Sequence, residues 1–194
     1  MYKLLLLLLL WFPIFASGQN PYINVGVQPD IGLGYTRPNT TLGVGVDFNT
    51  KKTFTELSTY FAPAIQKDNL SGWQYQFGGT GQVYYRVGKR FGFGPGLDYT
   101  RLSTPVWQKA TLLLLTCGFV ESSTGSLFVN YFHSIALDQN RERGLEFYYE
   151  FGQRRLRPYV RLDVLAFTEP SYCTQNCVQH YGSDLEIGLR VYWR

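Results

Sequence analysis

The sequence predicts an all-β protein, an antiparallel up-and-down barrel of about ten strands, with bounds near 8 and 12. Three observations carry that prediction. Beyond residue 18, most of the chain alternates apolar and polar residues at a period of two, as strands with unlike faces do. Short polar turns punctuate the alternation at hairpin spacing. The longest apolar run past the leader is Leu112 to Leu115, too short to be a membrane-crossing helix. Abundant aromatics (15 Tyr, 14 Phe, 4 Trp) and 20 Gly suit many half-buried strands.

Residues 1–18 form an export leader. Lys3 is the basic start, residues 4–15 are apolar, and Ala16-Ser17-Gly18 is a small-residue cleavage site. Gln19 is then the first mature residue, and 19–194 is one barrel domain.

Between residues 23 and 35, Ile23, Val25, Val27, Ile31 and Leu33 share a phase opposite Asn24, Gly26, Gln28, Asp30 and Gly32. Pro29 cannot donate a ladder hydrogen bond, so the first strand is placed from Asp30 onward. Strand two covers 41–48, with Leu42, Val44, Val46 and Phe48 outward, and strand three covers 53–65. In the fourth, Trp73, Tyr75, Phe77, Val83, Tyr85 and Val87 oppose Gln74, Gln76, Thr80, Gln82, Tyr84 and Arg86. In the fifth, 91–101, Phe93, Leu97 and Tyr99 oppose glycines and Asp98. The sixth, 106–120, loses its alternation at the leucines, leaving its faces unassigned.

The seventh, 124–137, carries Leu127, Val129, Tyr131 and Ile135 on one side. The eighth, 142–152, sets Leu145, Phe147, Tyr149 and Phe151 against Glu146, Tyr148 and Glu150. The ninth, 156–168, sets Leu156, Val160, Leu162 and Val164 against Arg157, Tyr159, Arg161 and Asp163. After a loop over 169–183, the last strand, 184–193, puts Leu185, Ile187, Leu189, Val191 and Trp193 opposite Asp184, Glu186, Arg190 and Tyr192.

Ten such strands match the span and dyad pattern of a transmembrane barrel, whose closure leaves no unpaired edge in lipid. The chain resembles the small outer-membrane β-barrel proteins of Gram-negative bacteria. In that family the last strand alternates apolar residues and ends in an aromatic read by the barrel-assembly machinery. Leu189, Val191 and Trp193 fit this signal, with Arg194 placed one residue beyond it. The resemblance implies the outer membrane as location and its lipid as surroundings. An aromatic girdle is expected from Trp73, Tyr75, Phe91, Phe93, Trp107, Phe119 and Trp193. The alternative is a soluble exported barrel, lipocalin-like, with its apolar face inward around a ligand.

The expected lumen is polar. It holds a charge network of Arg86, Asp98, Glu146, Glu150, Arg157, Arg161, Asp163, Asp184, Glu186 and Arg190, accompanied by Asp47, Glu56, Gln82, Tyr84 and Asn130. Barrels near 8 strands are just filled by side chains, so a plugged interior is expected.

Candidate chemistry is sparse. His133 and Ser134 bring to mind a lipid A deacylase, itself a small barrel, but adjacent residues face opposite ways, so no His–Ser hydrogen bond is expected. Cys173 and Cys177 are candidates for a disulfide in an exported loop, and with His180 they form an alternative metal triad. Cys117 reads as a small apolar strand residue. No cofactor is implied. The formal charge of +4 is scattered and no nucleic-acid motif is present, which leaves no nucleic-acid partner in view. The functional reading is a structural or interaction barrel with an unknown surface or periplasmic partner. A narrow pore for small solutes and a lipid A-modifying enzyme are the alternatives. With an even strand number both termini lie in the periplasm, together with the turns at 49–52, 88–90, 121–123 and 153–155.

Overall fold

Ten strands close on themselves in the order β1-β10-β9-β8-β7-β6-β5-β4-β3-β2, every neighbouring pair antiparallel, in a computed structural model that describes residues 19–27, 40–64, 74–103, 108–135, 141–168 and 179–193. The strands are β1 (Gln19–Val27), β2 (Thr40–Asn49), β3 (Thr53–Ala64), β4 (Gln74–Val87), β5 (Phe91–Ser103), β6 (Gln108–Glu121), β7 (Gly125–Ser134), β8 (Arg141–Phe151), β9 (Leu156–Thr168) and β10 (Gln179–Tyr192). The leader, residues 1–18, lies outside the described residues.

Each ladder holds one register along its whole length. β9 and β10, for example, run in step from Gln179↔Thr168 to Val191↔Leu156. A slip of one residue would exchange the two faces, so unbroken register keeps each strand's inward set inward from end to end. The β4–β5 ladder keeps step from Gln82↔Gly96 to Tyr85↔Phe93 while passing over Gly94 and Pro95. Pro95 has no N–H to give there.

The apolar face points out. Val25, Leu57, Phe77, Phe93, Leu114, Tyr131, Phe147, Val164 and Ile187, from nine of the strands, are all exposed on the exterior. A soluble barrel folded around a ligand would have the opposite polarity.

Two ends differ. The turns β2–β3, β4–β5, β6–β7 and β8–β9 are short and share one end with Gln19 and Trp193. Hydroxyls close two of them. Thr50 Oγ1 accepts from the N–H of Thr53 at 2.9 Å, and Ser122 Oγ accepts from the N–H of Gly125 at 3.2 Å. Gly88 and Gly152 open the other two with φ of +77° and +76°, a region that costs other residues. Every connection at the opposite end lies outside the described residues.

Several expectations need correcting. The first strand is 19–27, not a strand from Asp30. Pro21 sits in it as its third residue, paired with Val46, so a proline near a strand start did not bar the lead-in. Residues 28–39 lie outside the described residues. The last strand begins at Gln179 instead of Asp184, so residues 179–183 belong to β10 and not to a loop. Its upper part pairs with Val164 to Thr168, a polar stretch held by its ladder without an alternating pattern. β6 has definite faces: Thr111, Leu115, Cys117 and Phe119 are buried in the lumen, while Leu114, Thr116 and Val120 are exposed outside. Phe119 is therefore not part of an outer girdle. Tyr75, Phe91, Phe93 and Trp193 are exposed outside, whereas Trp73 and Trp107 lie outside the described residues.

Candidate functional site in the lumen

A continuous run of aromatic rings crosses the lumen toward the short-turn end. Phe54 (β3), Tyr84 (β4), Phe119 (β6) and Phe128 (β7) meet with centroids 5.2–6.0 Å apart. Phe54 and Phe128 stand four strands apart, so their contact bridges the interior instead of following its wall. Tyr148 extends the run from Phe128 to Tyr159, at 5.7 and 5.1 Å. Strand glycines make room for rings this size. Phe119 lies over Gly92, Tyr159 over Gly188 and Tyr22 over Gly45, where a Cβ would strike the ring in each case.

Arg190 (β10) completes the stopper. Its guanidinium reaches Glu56 Oε1 on β3 at 3.0 Å and Glu150 Oε1 on β8 at 3.1 Å. It also stacks over Tyr22, 4.0 Å from the centroid, and lies 5.1 Å from that of Tyr148. Glu150 binds Arg157 as well, at 2.7 Å, and Arg157 covers Tyr192 at 4.3 Å. The Tyr22 hydroxyl donates to Glu56 at 2.5 Å and that of Tyr192 to Asp47 at 2.9 Å. Planar, weakly hydrated guanidinium suits a place needing both a fork of hydrogen bonds and a stacking face. Arg86 lies nearer the mouth, held by Glu121 at 3.3 Å and by Asn49 at 2.9 Å, with its guanidinium 5.2 Å from the centroid of Phe119.

A second charge cluster lies farther from the short turns. Arg161 binds Glu146 at 2.8 Å and Asp163 at 2.9 Å, with Glu186 at 4.0 Å. Its side chain keeps 36% of its accessibility, against 7% for Arg190 and 2% for Glu150. The lumen is therefore less tightly filled around Arg161 than at Arg190 and the ring cluster. Glu146, Asp163 and Asp184 stand side by side across β8, β9 and β10 on this inner face. Like charges so placed repel, and Arg161 is bonded to two of the three. Asp98 is apart from these, accepting from Thr80 at 2.5 Å and Thr100 at 2.9 Å.

Among the described side chains, ten inward carboxylates (Asp47, Glu56, Asp98, Glu121, Glu142, Glu146, Glu150, Asp163, Asp184, Glu186) face four arginines (Arg86, Arg157, Arg161, Arg190). Carboxylates thus outnumber arginines in the interior, and each of the four arginines is engaged with a carboxylate.

Sequence reasoning missed the apolar half of the lumen: Tyr22, Phe54, Leu115, Phe119, Phe128 and Phe132. The signal was present for Phe54, which shares the phase of Glu56 two residues on. His133 is exposed on the exterior, its ring 6.2 Å from that of Tyr131. Ser134 faces the other way and its Oγ accepts from the N–H of Glu142 at 2.9 Å, so the two do not form a nucleophile and base. Cys117 is free and buried. Cys173 and Cys177 lie outside the described residues, as does the side chain of His180.

No family model and no curated protein matches the chain. Solved structures with a similar fold include an anion-selective porin from Comamonas acidovorans, at 14% identity and a TM-score of 0.45, covering 93% of this chain and 57% of the porin. Neisserial surface protein A is similar at 8% identity and a TM-score of 0.37, covering 93% of this chain and 100% of that one. A major outer membrane protein from Thermus thermophilus follows at 11% identity and a TM-score of 0.35, covering 90% and 99%. The chain spans little more than half the porin's length. These neighbours are outer-membrane β-barrel proteins.

Proposed function

We propose that the protein is an exported outer-membrane β-barrel with a structural or interaction role in the cell envelope, its lumen closed to free passage. One observation carries the reading: a closed barrel with an apolar exterior on every strand and buried charges inside. Such a surface is costly in water and favourable in lipid, where closure also satisfies every backbone group. Strands of 9 to 14 residues suffice to cross a hydrocarbon core when tilted. The stopper around Arg190 favours the interaction role over a narrow solute pore. If a path existed, the carboxylate excess would select cations. A lipid A-modifying activity has no support in the outward His133 and inward Ser134.

Leu189, Val191 and Trp193 are proposed as the signal read by the assembly machinery, and the partner is proposed to be a surface or periplasmic one. Cell fractionation with gel mobility tests the location. The protein is expected in the outer-membrane fraction, running faster unheated than boiled. Recovery in the soluble fraction would overturn the reading.

In the connection between β9 and β10, Cys173 and Cys177 are proposed to be bonded. Alkylation of denatured, non-reduced protein is then expected to modify one thiol, that of Cys117. Three modified thiols would reject the disulfide and favour the metal triad with His180. Because so short a loop restrains little of the unfolded chain, the bond should add little stability.

A further inference from the structure

Three of the four short turns carry a pair of adjacent basic residues: Lys51-Lys52, Lys89-Arg90 and Arg154-Arg155. All six side chains are exposed. Beside the fourth turn, Glu121 ends β6 and is ion-paired to Arg86 in the lumen mouth, so it does not offset them. We propose that these six cations form a ring that selects anionic phospholipid headgroups in the leaflet at the short-turn end. The proposal rests on the outer-membrane reading above and names which lipid that reading must include.

Position is the first argument. Two of the three pairs adjoin exposed apolar side chains that face outward, and Lys51-Lys52 follows half-buried Phe48. Val87 and Phe91 flank Lys89-Arg90, and Phe151 and Leu156 flank Arg154-Arg155, with exposures of 45–55%. If those residues sit in hydrocarbon, the adjoining cations sit at the level of the phosphates. Long basic side chains can keep their stems against the apolar surface while the charge reaches the headgroup.

Distribution is the second. The pairs lie at the β2–β3, β4–β5 and β8–β9 hairpins, spread around the rim instead of gathered on one side. A docked protein would engage one arc, whereas an annulus of lipid meets the whole circumference. The third is contrast. The arginines inside the lumen are ion-paired to carboxylates there, whereas the six turn cations are exposed at the rim.

The test uses the mature chain refolded into phosphatidylcholine vesicles, with spin-labelled phosphatidylglycerol or phosphatidylcholine as probe. The ratio of motionally restricted label, glycerol over choline headgroup, is the readout. Each engaged cation can favour the anionic lipid by up to about fivefold at low salt, so the ratio should be well above one. It should fall at about 1 M salt, where exposed charges are screened. The variant Lys51→Gln, Lys52→Gln, Lys89→Gln, Arg90→Gln, Arg154→Gln, Arg155→Gln should bring it to about one. Exchanging lysines and arginines at the six positions should retain it. Restricted lipid with no headgroup preference would overturn the ring while leaving the membrane reading standing. A preference that survives the glutamine variant would also overturn it. No restricted lipid of either kind would overturn the membrane reading, and the ring with it.

Discussion

Replacing Arg190 by alanine is expected to destabilise the barrel by about 3–5 kcal/mol, the cost of breaking a buried ion pair from one side. The guanidinium holds Glu56 and Glu150 at 3.0 and 3.1 Å, and all three side chains are largely withdrawn from solvent. Without it two carboxylates would remain, with Asp47 beside Glu56 on the neighbouring strand. Arg157 could serve only Glu150, which it already binds. Tyr22 and Tyr148 would lose the cation lying against their faces. The measurement is guanidinium unfolding of the refolded protein in lipid vesicles. Adding Glu56→Gln to the alanine variant should recover part of the loss, because one of the stranded charges is then removed. A cost below about 1 kcal/mol for Arg190→Ala would mean that the lumen is wet enough to solvate both carboxylates, as at an ordinary surface.

Phe119→Ala is expected to cost a similar amount, about 3–5 kcal/mol, by a different route. The ring is 1% exposed and meets Phe54, Tyr84 and Phe128 with centroids 5.2–6.0 Å away. Arg86 lies over it and Gly92 beneath it. Those neighbours hang from β3, β4, β5 and β7, strands fixed by their ladders, so the cavity cannot collapse. Phe119→Leu should cost clearly less, since most of the volume returns. Phe151→Ala on the exterior should also cost less, because in a bilayer mobile acyl chains would fill the space that a fixed lumen cannot. The same unfolding measurement separates them. Equal losses at Phe119 and Phe151 would place Phe119 on the exterior and contradict its position in the lumen.

Alternation was enough to read most of this fold. Where one face is apolar and the other charged, as in β8 and β9, the period of two identified the strand and its phase together. With no bulge in any described ladder, a phase read at one end held to the other. The exceptions have physical causes. β6 was unreadable because its lumen face, Leu113, Leu115, Cys117 and Phe119, is as apolar as its outer face. A barrel that packs rings in its interior gives no contrast there. β1 lies upstream of its expected start because the alternation of Ile23, Val25 and Val27, not the absence of a proline, marks the strand. The upper half of β10 carries Tyr181, Gly182 and Ser183, residues that read as loop and are held in the sheet by pairing with Val164 to Ala166.

The charged half of the lumen was legible for the same reason that the strands were. A charge on a strand whose other face is apolar has one place to go. Which charges meet was only partly legible. Glu146–Arg161 and Glu150–Arg157 join neighbouring strands and follow from strand order. Arg190–Glu56 spans three strand steps, from β10 past β1 and β2 to β3, and depends on the curvature of the closed sheet. No spacing in the sequence encodes that distance. Tyr22 and Phe119 are not legible as lumen residues because apolar rings carry no polar mark of an inward face, and large rings over strand glycines fill a narrow barrel as well as polar side chains do.

Planar-bilayer conductance of the refolded mature protein tests the closed lumen most directly, with heat-modifiable gel mobility confirming that the sample is folded. With the stopper of Arg190, Glu56, Glu150 and the ring cluster in place, the protein is expected to insert without producing a steady current. A large, persistent, ohmic conductance from the native protein would contradict the closed lumen and make the pore the better account.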